Sequence, residues 1–368
     1  MTPLLLTPGP LTTSDATRAA LGRDWGSRDA AFVALSEGVR HRLAALAGVA
    51  GTHASVPVQG SGTFAVEAAI GTLVPRGGKL LVLVNGAYGR RIAAMAARLG
   101  REVTTLDYAE DQAIHPGVVH AALAADRDVT DVAVVHCETT SGLLNPLAEI
   151  AAVVRDAGRR LLVDAMSSFG AIPIDGGAVP FSSLIGSSNK GLEGVPGLGF
   201  VLAEKGHLAT CAGQASSTSL DLFDQWRGFE GNGQWRFTPP VQIVAALSAA
   251  LDQLDAEGGI AARHVRYQAN LAILTAGMAA HGFKTYLDPA VQAPVIVTFR
   301  IPEGGWFRFE SFYDFLQSRG IVIYPGKLTA APSFRIGCIG AIGPDDMRRA
   351  LGAVDAFMAA HGQARSAA

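Results

Sequence analysis

Two residues combine a reactive group with a setting that would change its acidity. Lys190 follows three small polar residues, 187–189, at the end of a predicted strand. A lysine that leaves water has a lowered pKa and can form an imine as the free amine. Asp164 ends an apolar run, where a carboxylate is costly to bury unless it is paired, for instance with a protonated pyridine nitrogen. The alternatives are a surface-loop lysine and a strand-end or helix-capping aspartate.

A glycine-rich turn indicates an anion site. Gly60-Ser61-Gly62-Thr63 lies between a predicted strand and a predicted helix. Glycines let the backbone approach an anion, and the N–H groups at the start of a helix bind it. The turn is not a P-loop, because no Gly-Lys-Ser/Thr follows, and alanine at position 65 excludes the dinucleotide fingerprint. The alternative is an ordinary tight turn with Thr63 as the helix N-cap.

Two further side chains could contact a planar, anionic ligand. Tyr88 lies in a glycine-flanked turn, where its ring could stack on a planar cofactor. Arg335 alternates with apolar neighbours at 334 and 336, so its side chain should leave the face that they bury. It could bind a substrate anion through two parallel hydrogen bonds. A half-exposed tyrosine and a surface salt bridge are the alternatives.

The predicted elements bring these residues to one edge of a sheet. Strands and helices alternate between about residues 55 and 202, which indicates a mostly parallel sheet between helices. Ligands of such sheets bind at the carboxyl ends of strands. Polar or aromatic groups follow five predicted strands, which end at residues 58, 84, 136, 163 and 187. We predict a large domain over 1–259 and a smaller C-terminal α/β domain over 260–368.

The composition excludes several classes of function. Of 368 residues, 49% are hydrophobic and 17% charged, enough for a large core. A net charge of −2 gives no attraction to nucleic acid or an anionic membrane. No apolar run approaches the roughly 20 residues that span a bilayer. Three widely spaced cysteines predict neither disulfides nor a zinc site, and we predict no metal. The N-terminus lacks a basic leader, so we expect a cytoplasmic protein.

Taken together, these motifs resemble those of the class V, fold-type I pyridoxal-phosphate enzymes over essentially the whole chain. The strings that carry the resemblance are LLTPGPLTT at 5–13, QGSG at 59–62, NGAY at 85–88, VDAMSSFG at 163–170, WRFT at 235–238, YPGK at 324–327 and FRIG at 334–337. The resemblance implies a fold-type I α/β transferase with pyridoxal 5'-phosphate as its cofactor. It also implies a homodimer with shared active sites, in which segment 1–15 lines the active site.

The resemblance implies a role for each candidate residue. Lys190 would carry the cofactor as a Schiff base and move a proton, Asp164 would bond the pyridinium nitrogen, and Arg335 would bind the substrate anion. Trp235 and Thr238 would reach the phosphate of the partner subunit. The other expected cofactor contacts are Ser61, Gly62, Thr63, Tyr88, Thr139, Met166 and Asn189. Arg28 stands where the family tends to have an aromatic residue, so an added cation could alter substrate preference.

The resemblance favours one reaction among several. The strings at 163–170 and 324–327 are similar to the branch that moves the amino group of 2-aminoethylphosphonate to pyruvate, giving phosphonoacetaldehyde and L-alanine. The alternative transferase is an alanine– or serine–glyoxylate aminotransferase. A class V lyase such as a cysteine desulfurase needs a reactive cysteine on a mobile loop, whereas Cys338 should lie in strand-end packing. A non-enzymatic phosphate-binding module would explain the turn at 60–63 but not Lys190 with Asp164.

Overall fold

The computed structural model describes residues 3–361. Its strands are β1 (Leu4–Leu5), β2 (His53–Gln59), β3 (Lys79–Val84), β4 (Glu102–Asp107), β5 (Val129–Val135), β6 (Cys137–Glu138), β7 (Leu143–Leu144), β8 (Arg160–Asp164), β9 (Ser183–Ser187), β10 (Leu198–Glu204), β11 (Ile296–Arg300), β12 (Ile321–Val322), β13 (Tyr324–Pro325) and β14 (Ser333–Gly337). Its α-helices are α1 (Asp15–Ala19), α2 (Ala30–Leu46), α3 (Gly62–Leu73), α4 (Ala87–Arg98), α5 (Pro116–Ala125), α6 (Leu147–Asp156), α7 (Lys205–Leu208), α8 (Leu222–Asn232), α9 (Val241–Glu257), α10 (Gly259–Ala280), α11 (Phe309–Gln317) and α12 (Pro344–His361).

The main sheet has seven strands in the order β2-β10-β9-β8-β5-β3-β4. All neighbouring pairs are parallel except the two made by β10, which is antiparallel to β2 and β9. Strands such as β3 and β5 are almost wholly buried, because helices cover both faces, and their sequences are therefore nearly continuous apolar runs. One core contains residues of α2, α5, α6 and α9, and the other contains residues of α3 and α4. The predicted mostly parallel α/β sheet is confirmed.

The C-terminal part has a core of its own. The antiparallel sheet β11-β14-β13 packs with α10, α11 and α12 around a cluster rich in phenylalanine. The chain start also joins this core, since β1 pairs in parallel with β12, and Leu4 and Leu6 are buried there. The division into 1–259 and 260–368 stays a prediction. The structure adds that the first strand contributes to the C-terminal core.

Helix α8 was not expected from the sequence. The segment 222–232 forms α8, although only Leu222 and Phe229 in it are buried. The spacing of Leu222, Trp226 and Phe229 is helical, but two glycines, which disfavour helix interiors, and several polar residues obscure this pattern. Its N-cap is Asp221, whose carboxylate accepts a hydrogen bond from the Asp224 N–H at 3.0 Å. Within residues 3–361, no helix is both long and apolar enough to cross a membrane.

Candidate active site

Nine of the twelve predicted site residues line one cavity of about 160 Å³ at the carboxyl ends of the parallel strands. The nine are Ser61, Gly62, Thr63, Tyr88, Thr139, Asp164, Met166, Asn189 and Lys190. They come together because β2, β3, β5, β8 and β9 run in the same direction and end at the same edge of the sheet. Their individual roles remain predictions.

Lys190 lies three residues after β9, and its side chain is largely withdrawn from solvent. Burial lowers the pKa of Lys190 to about 8, because the ammonium form loses its hydration. The carboxylate of Asp164 opposes this shift, and the ammonium of Lys327 adds to it. Near neutral pH a useful fraction of the side chain is therefore the nucleophilic free amine. The surface-loop alternative does not fit this setting.

Asp164 is the last residue of β8 and is buried. Burial raises the pKa of its carboxyl to about 6, although a hydrogen bond from the Met166 N–H at 2.9 Å favours the carboxylate. Within residues 3–361 it has no ion-pair partner at 4.0 Å or less. A buried carboxyl on a cavity wall without a cationic partner fits a ligand that carries a protonated ring nitrogen.

The turn before α3 has the geometry of an anion cup. Gly60 has φ +126°, a value that favours glycine. Ser61, and not Thr63, is the N-cap of α3, and its hydroxyl makes no capping hydrogen bond. The first N–H groups of α3 have no partner inside the helix. A Cβ atom at Gly62 would collide with the end of the Met166 side chain, so the glycine lets Met166 lie directly against this wall of the cavity. The cup therefore suits a phosphate group.

Glu138 places Tyr88 on the cavity wall. This carboxylate is fully buried and lies at the N-terminus of α4, where Oε2 accepts hydrogen bonds from the N–H groups of Tyr88 at 3.1 Å and Gly89 at 3.4 Å. Its Oε1 accepts from the Thr140 hydroxyl at 2.5 Å. Buried acceptors at a helix N-terminus satisfy its N–H groups and interact favourably with its dipole. The sequence showed Glu138 as a polar strand-end residue but not its role in positioning Tyr88.

Arg335 is buried rather than solvent-exposed, with 6% of its surface accessible. Its Nε donates to the Pro325 carbonyl at 3.1 Å and its Nη1 to the Thr139 carbonyl at 2.8 Å. In the described part of the chain it forms no ion pair, so the surface-salt-bridge alternative is wrong. Burial lowers its pKa, because the cation has lost water without gaining a carboxylate. Such a guanidinium suits an incoming anion.

Two cations near Tyr88 were missed as site residues. The guanidinium of Arg91, in α4, lies 4.9 Å from the centre of the Tyr88 ring and lines the cavity. The ammonium of Lys327 lies 4.0 Å from the same ring centre. The sequence indicated a solvated helix face for Arg91, and nothing around Lys327 indicated its distance from Tyr88, which lies 239 positions earlier. Only the packing of the two parts of the chain brings them together.

The comparisons with known proteins agree with this geometry. The family model described as aminotransferase class V matches residues 13–342. The chain belongs to the class V aminotransferase family. It is 54% identical over 366 residues to 2-aminoethylphosphonate–pyruvate transaminase 2 of Burkholderia lata, covering 100% of this chain and 97% of that one. The predicted family is therefore confirmed.

Solved structures show the same fold. Pyridoxamine–pyruvate aminotransferase of Mesorhizobium loti has a TM-score of 0.90 at 26% identity, covering 98% of this chain and 93% of that one. An alanine–glyoxylate aminotransferase of Nostoc has a TM-score of 0.91 at 25% identity, covering 97% and 96%. The predicted fold class, the fold-type I α/β architecture, is confirmed.

Trp235 and Thr238 lie outside the Lys190 cavity of their own aminotransferase chain. The Trp235 Nε1 donates to the Ser36 hydroxyl at 2.9 Å, and Thr238 is exposed. Both line a second cavity of about 450 Å³ together with Gly60 and Phe64. Their expected contact with a partner subunit's phosphate stays a prediction. Arg28 lies in a neighbouring pocket beside the segment 234–239 and away from Lys190.

The N-terminal turn of this aminotransferase contacts the reactive lysine. Gly9 has φ +131°, and a Cβ atom built on it would collide with the Lys190 amine. The N-terminal segment is also packed closely against β14, because a Cβ atom at Gly337 would lie 2.6 Å from the Thr7 carbonyl oxygen. A larger residue at position 9 would therefore displace the amine. This observation supports the prediction that segment 1–15 contributes to the active site.

A group of buried and half-buried polar side chains, four of them charged, lies behind the turn that carries Lys190. We call it the buried ionic network, and its members are Glu193, Glu257, Arg263, Arg266 and Tyr267. Arg263 donates from Nε to Glu257 at 2.8 Å. Arg266 donates to Glu193 at 2.8 Å and to Glu257 at 2.7 Å. The Tyr267 hydroxyl donates to Glu193 at 2.5 Å. Each arginine of the network thus has a carboxylate partner, and the charges compensate one another.

The buried ionic network fixes the backbone next to the reactive lysine. Glu193 has φ +60°, a conformation that is strained for a glutamate, and its N–H donates to the Lys190 carbonyl at 2.8 Å. Arg263 donates from Nη1 to the Gly191 carbonyl at 3.0 Å. Tyr267 accepts a hydrogen bond from the Gly340 N–H at 3.2 Å. The network therefore ties the Lys190 turn to the segment that follows β14.

Proposed function

We propose that this chain uses pyridoxal 5'-phosphate to transfer the amino group of 2-aminoethylphosphonate to pyruvate. The observation that carries the proposal is one cavity that combines a half-buried lysine of lowered pKa with a buried aspartate, beside an arginine; within residues 3–361 neither the aspartate nor the arginine has an ion-pair partner. The choice of substrates rests on a relative of that name, which is 54% identical over 97% of its length.

The residues of the cavity fit the cofactor. Asp164 would hold the protonated ring nitrogen, Tyr88 would lie against the ring, and the N–H groups at the start of α3, with Ser61 and Thr63, would hold the phosphate. When bound, the cofactor withdraws electrons from the carbon that loses its proton. Asp164 supports this because its carboxylate keeps the ring nitrogen protonated, and burial strengthens the interaction.

The chain's own groups then bind the donor and move a proton. Arg335 binds the anionic end of 2-aminoethylphosphonate, and afterwards the carboxylate of pyruvate, which orients the amine-bearing carbon. The free amine of Lys190 takes the proton from that carbon and holds it until its return. The backbone of the Gly9 turn lies against the amine and shields it on this side. Since both substrates use one anion site in turn, the kinetics should be ping-pong.

An absorbance spectrum tests this function. The purified protein with pyridoxal 5'-phosphate should show a yellow band that bleaches with 2-aminoethylphosphonate and recovers with pyruvate. A band that ignores this donor but bleaches with L-alanine or L-serine and recovers with glyoxylate would move the protein to the glyoxylate branch. The absence of a band would overturn the cofactor as well.

A desulfurase function is disfavoured by the cysteines. All three are buried, and burial raises the pKa of Cys338 to about 12. Burial also raises the pKa of Cys137. A thiol with a raised pKa is a poor nucleophile, because the thiolate is the reactive form. The setting of Lys190 and Asp164 likewise goes beyond what a phosphate-binding module needs. Reduced, buried thiols suit a reducing compartment, and we propose a cytoplasmic location.

We also propose that the protein is a homodimer. The second cavity has two exposed aromatic side chains on its wall, Phe64 at 49% and Phe237 at 52% exposure. Large apolar groups that share one exposed pocket are typical of protein interfaces. This face also carries Trp235 and Thr238, the residues expected to reach a partner subunit. Sedimentation equilibrium should give twice the chain mass, and Phe237→Asp should shift the protein towards monomer.

A further inference from the structure

Lys327 is a cation without a carboxylate partner on the substrate side of the site. It follows β13, is half-buried, and holds its ammonium 4.0 Å from the centre of the Tyr88 ring. It forms no ion pair within residues 3–361. Its ammonium also lies close enough to Lys190 to contribute to the lowered pKa of that amine, in agreement with a position beside the site. A lysine in such a position costs side-chain entropy to order, so its placement needs an explanation.

The loop that carries Lys327 is held against the large sheet by a buried carboxylate. Glu110 is 5% exposed and accepts hydrogen bonds from the Thr329 N–H at 2.9 Å and hydroxyl at 3.1 Å, and from the Ala330 N–H at 3.4 Å. At the other end, the Gly326 N–H donates to the Ser333 carbonyl at 2.9 Å. The backbone on both sides of Lys327 is thus fixed, which distinguishes it from a freely moving surface lysine.

The same loop is joined to Arg335. Tyr324 of β13 is the register partner of Arg335 in β14, and the Arg335 Nε donates to the Pro325 carbonyl at 3.1 Å. Arg335 and Lys327 thus approach the Tyr88 side of the cavity from neighbouring backbone segments. Each lacks a carboxylate partner in the described chain, so together they form a pair of uncompensated positive charges.

We propose that Lys327 supplies the second positive charge of the donor site and makes it prefer a phosphonate dianion over a carboxylate. This inference rests on the proposed function, because it assumes that Arg335 binds the donor's anionic group. A carboxylate has one negative charge and two oxygens, which one guanidinium can match in a bidentate pair. A phosphonate dianion has a second charge and a third oxygen, and an ammonium is a compact partner for them. Removal of Lys327 should therefore affect phosphonate binding selectively.

The experiment compares two small anions on the cofactor-loaded protein. Calorimetric titrations with methylphosphonate and with acetate give the two dissociation constants. Lys327→Met keeps the length of the side chain and removes its charge, and Lys327→Arg keeps the charge. The matched control is Lys284→Met, which removes one exposed lysine from the same part of the chain. Loss of a charge-assisted contact in Lys327→Met should raise the dissociation constant of methylphosphonate by about 10- to 100-fold and that of acetate by less than about 3-fold.

Steady-state kinetics give a second readout. In Lys327→Met, KM for 2-aminoethylphosphonate should rise while KM for pyruvate stays nearly unchanged, and Lys327→Arg should restore most of the difference. An equal loss for both anions, or no loss for either, would overturn the role of Lys327 in selectivity. An equal loss would also mean that Lys327 only positions Tyr88. If the unmodified protein neither binds methylphosphonate nor uses 2-aminoethylphosphonate, the donor assignment itself is wrong, and this inference is wrong with it.

Discussion

Two groups of cations in this molecule have the same chemistry and opposite surroundings. In the buried ionic network, Arg263 is 1% exposed and is paired with carboxylates. At the proposed donor site, Arg335 is 6% exposed and donates to two carbonyl oxygens, and Lys327 lies against an aromatic ring. Both arginines are desolvated, so burial alone does not separate them.

The difference lies in what compensates the charge. A buried cation paired within the chain stabilises the fold only as long as its partner is present. A buried cation without a carboxylate costs stability, and that cost is recovered when an anion binds. The network therefore stabilises the fold, whereas we propose that the donor-site cations are kept available for a ligand. The following predictions test this separation.

The largest effect on activity is expected at the reactive lysine. Lys190→Ala removes the amine that binds the cofactor and moves the proton, so transamination should fall by about 10³-fold or more. The thermal unfolding of the Lys190→Ala protein should change little, because Lys190 is not a member of the buried ionic network. Transamination assays and thermal melts of the cofactor-free protein check both statements. Substantial remaining transamination would contradict the role of Lys190.

Breaking the buried ionic network should mainly lower the stability of the protein. Glu193→Gln leaves the two arginines with one carboxylate between them, and the free energy of unfolding should fall by about 3 kcal/mol or more. Urea denaturation measures this change. Asp345→Asn, in the exposed pair with Arg348, is the control and should leave stability nearly unchanged. A Glu193→Gln protein as stable as the control would contradict the structural role of the network.

Truncation of the donor-site arginine should affect binding and not folding. Arg335→Ala should weaken the binding of both substrates, raising KM by the equivalent of about 2–4 kcal/mol. The free energy of unfolding should not fall comparably, because the removed cation has no carboxylate partner within residues 3–361. Steady-state kinetics and urea denaturation of the same preparation give the two values. Unchanged KM values would remove Arg335 from the anion site.

A smaller effect concerns pH. The rate at which the cofactor-free protein reacts with pyridoxal 5'-phosphate should rise as the pH passes through about 8, because the neutral amine of Lys190 is the reactive form. The ammonium of Lys327 lowers this pKa, so Lys327→Met should move the rise to higher pH. Stopped-flow absorbance measures both profiles. Superimposable profiles would show that Lys327 does not act on Lys190.

The main sheet and the location of the site could be predicted from local sequence patterns. The continuous apolar runs identified the buried strands, and polar residues after five of them identified the edge where ligands bind. Lys190 and Asp164 come together because β8 and β9 are neighbouring parallel strands that end at the same edge. This part of the prediction needed no knowledge of distant contacts. The helix α8 escaped it, because two glycines and several polar residues interrupt a short set of helically spaced apolar side chains.

Whether a charged side chain is buried, and whether it is paired, could not be predicted in the same way. Arg335 contacts the carbonyl of Thr139, 196 positions earlier, and Arg266 pairs with Glu193, 73 positions earlier. From the sequence, each arginine was compatible with a solvated side chain or a surface salt bridge.

The sequence by itself thus determined the sheet, the edge that binds ligands, and the residue types gathered there. Only the tertiary structure decided which cations are paired within the chain and which are left for a substrate. The physical reason is that apolar periodicity is a property of neighbouring residues, whereas desolvation and charge compensation depend on groups that only folding brings together.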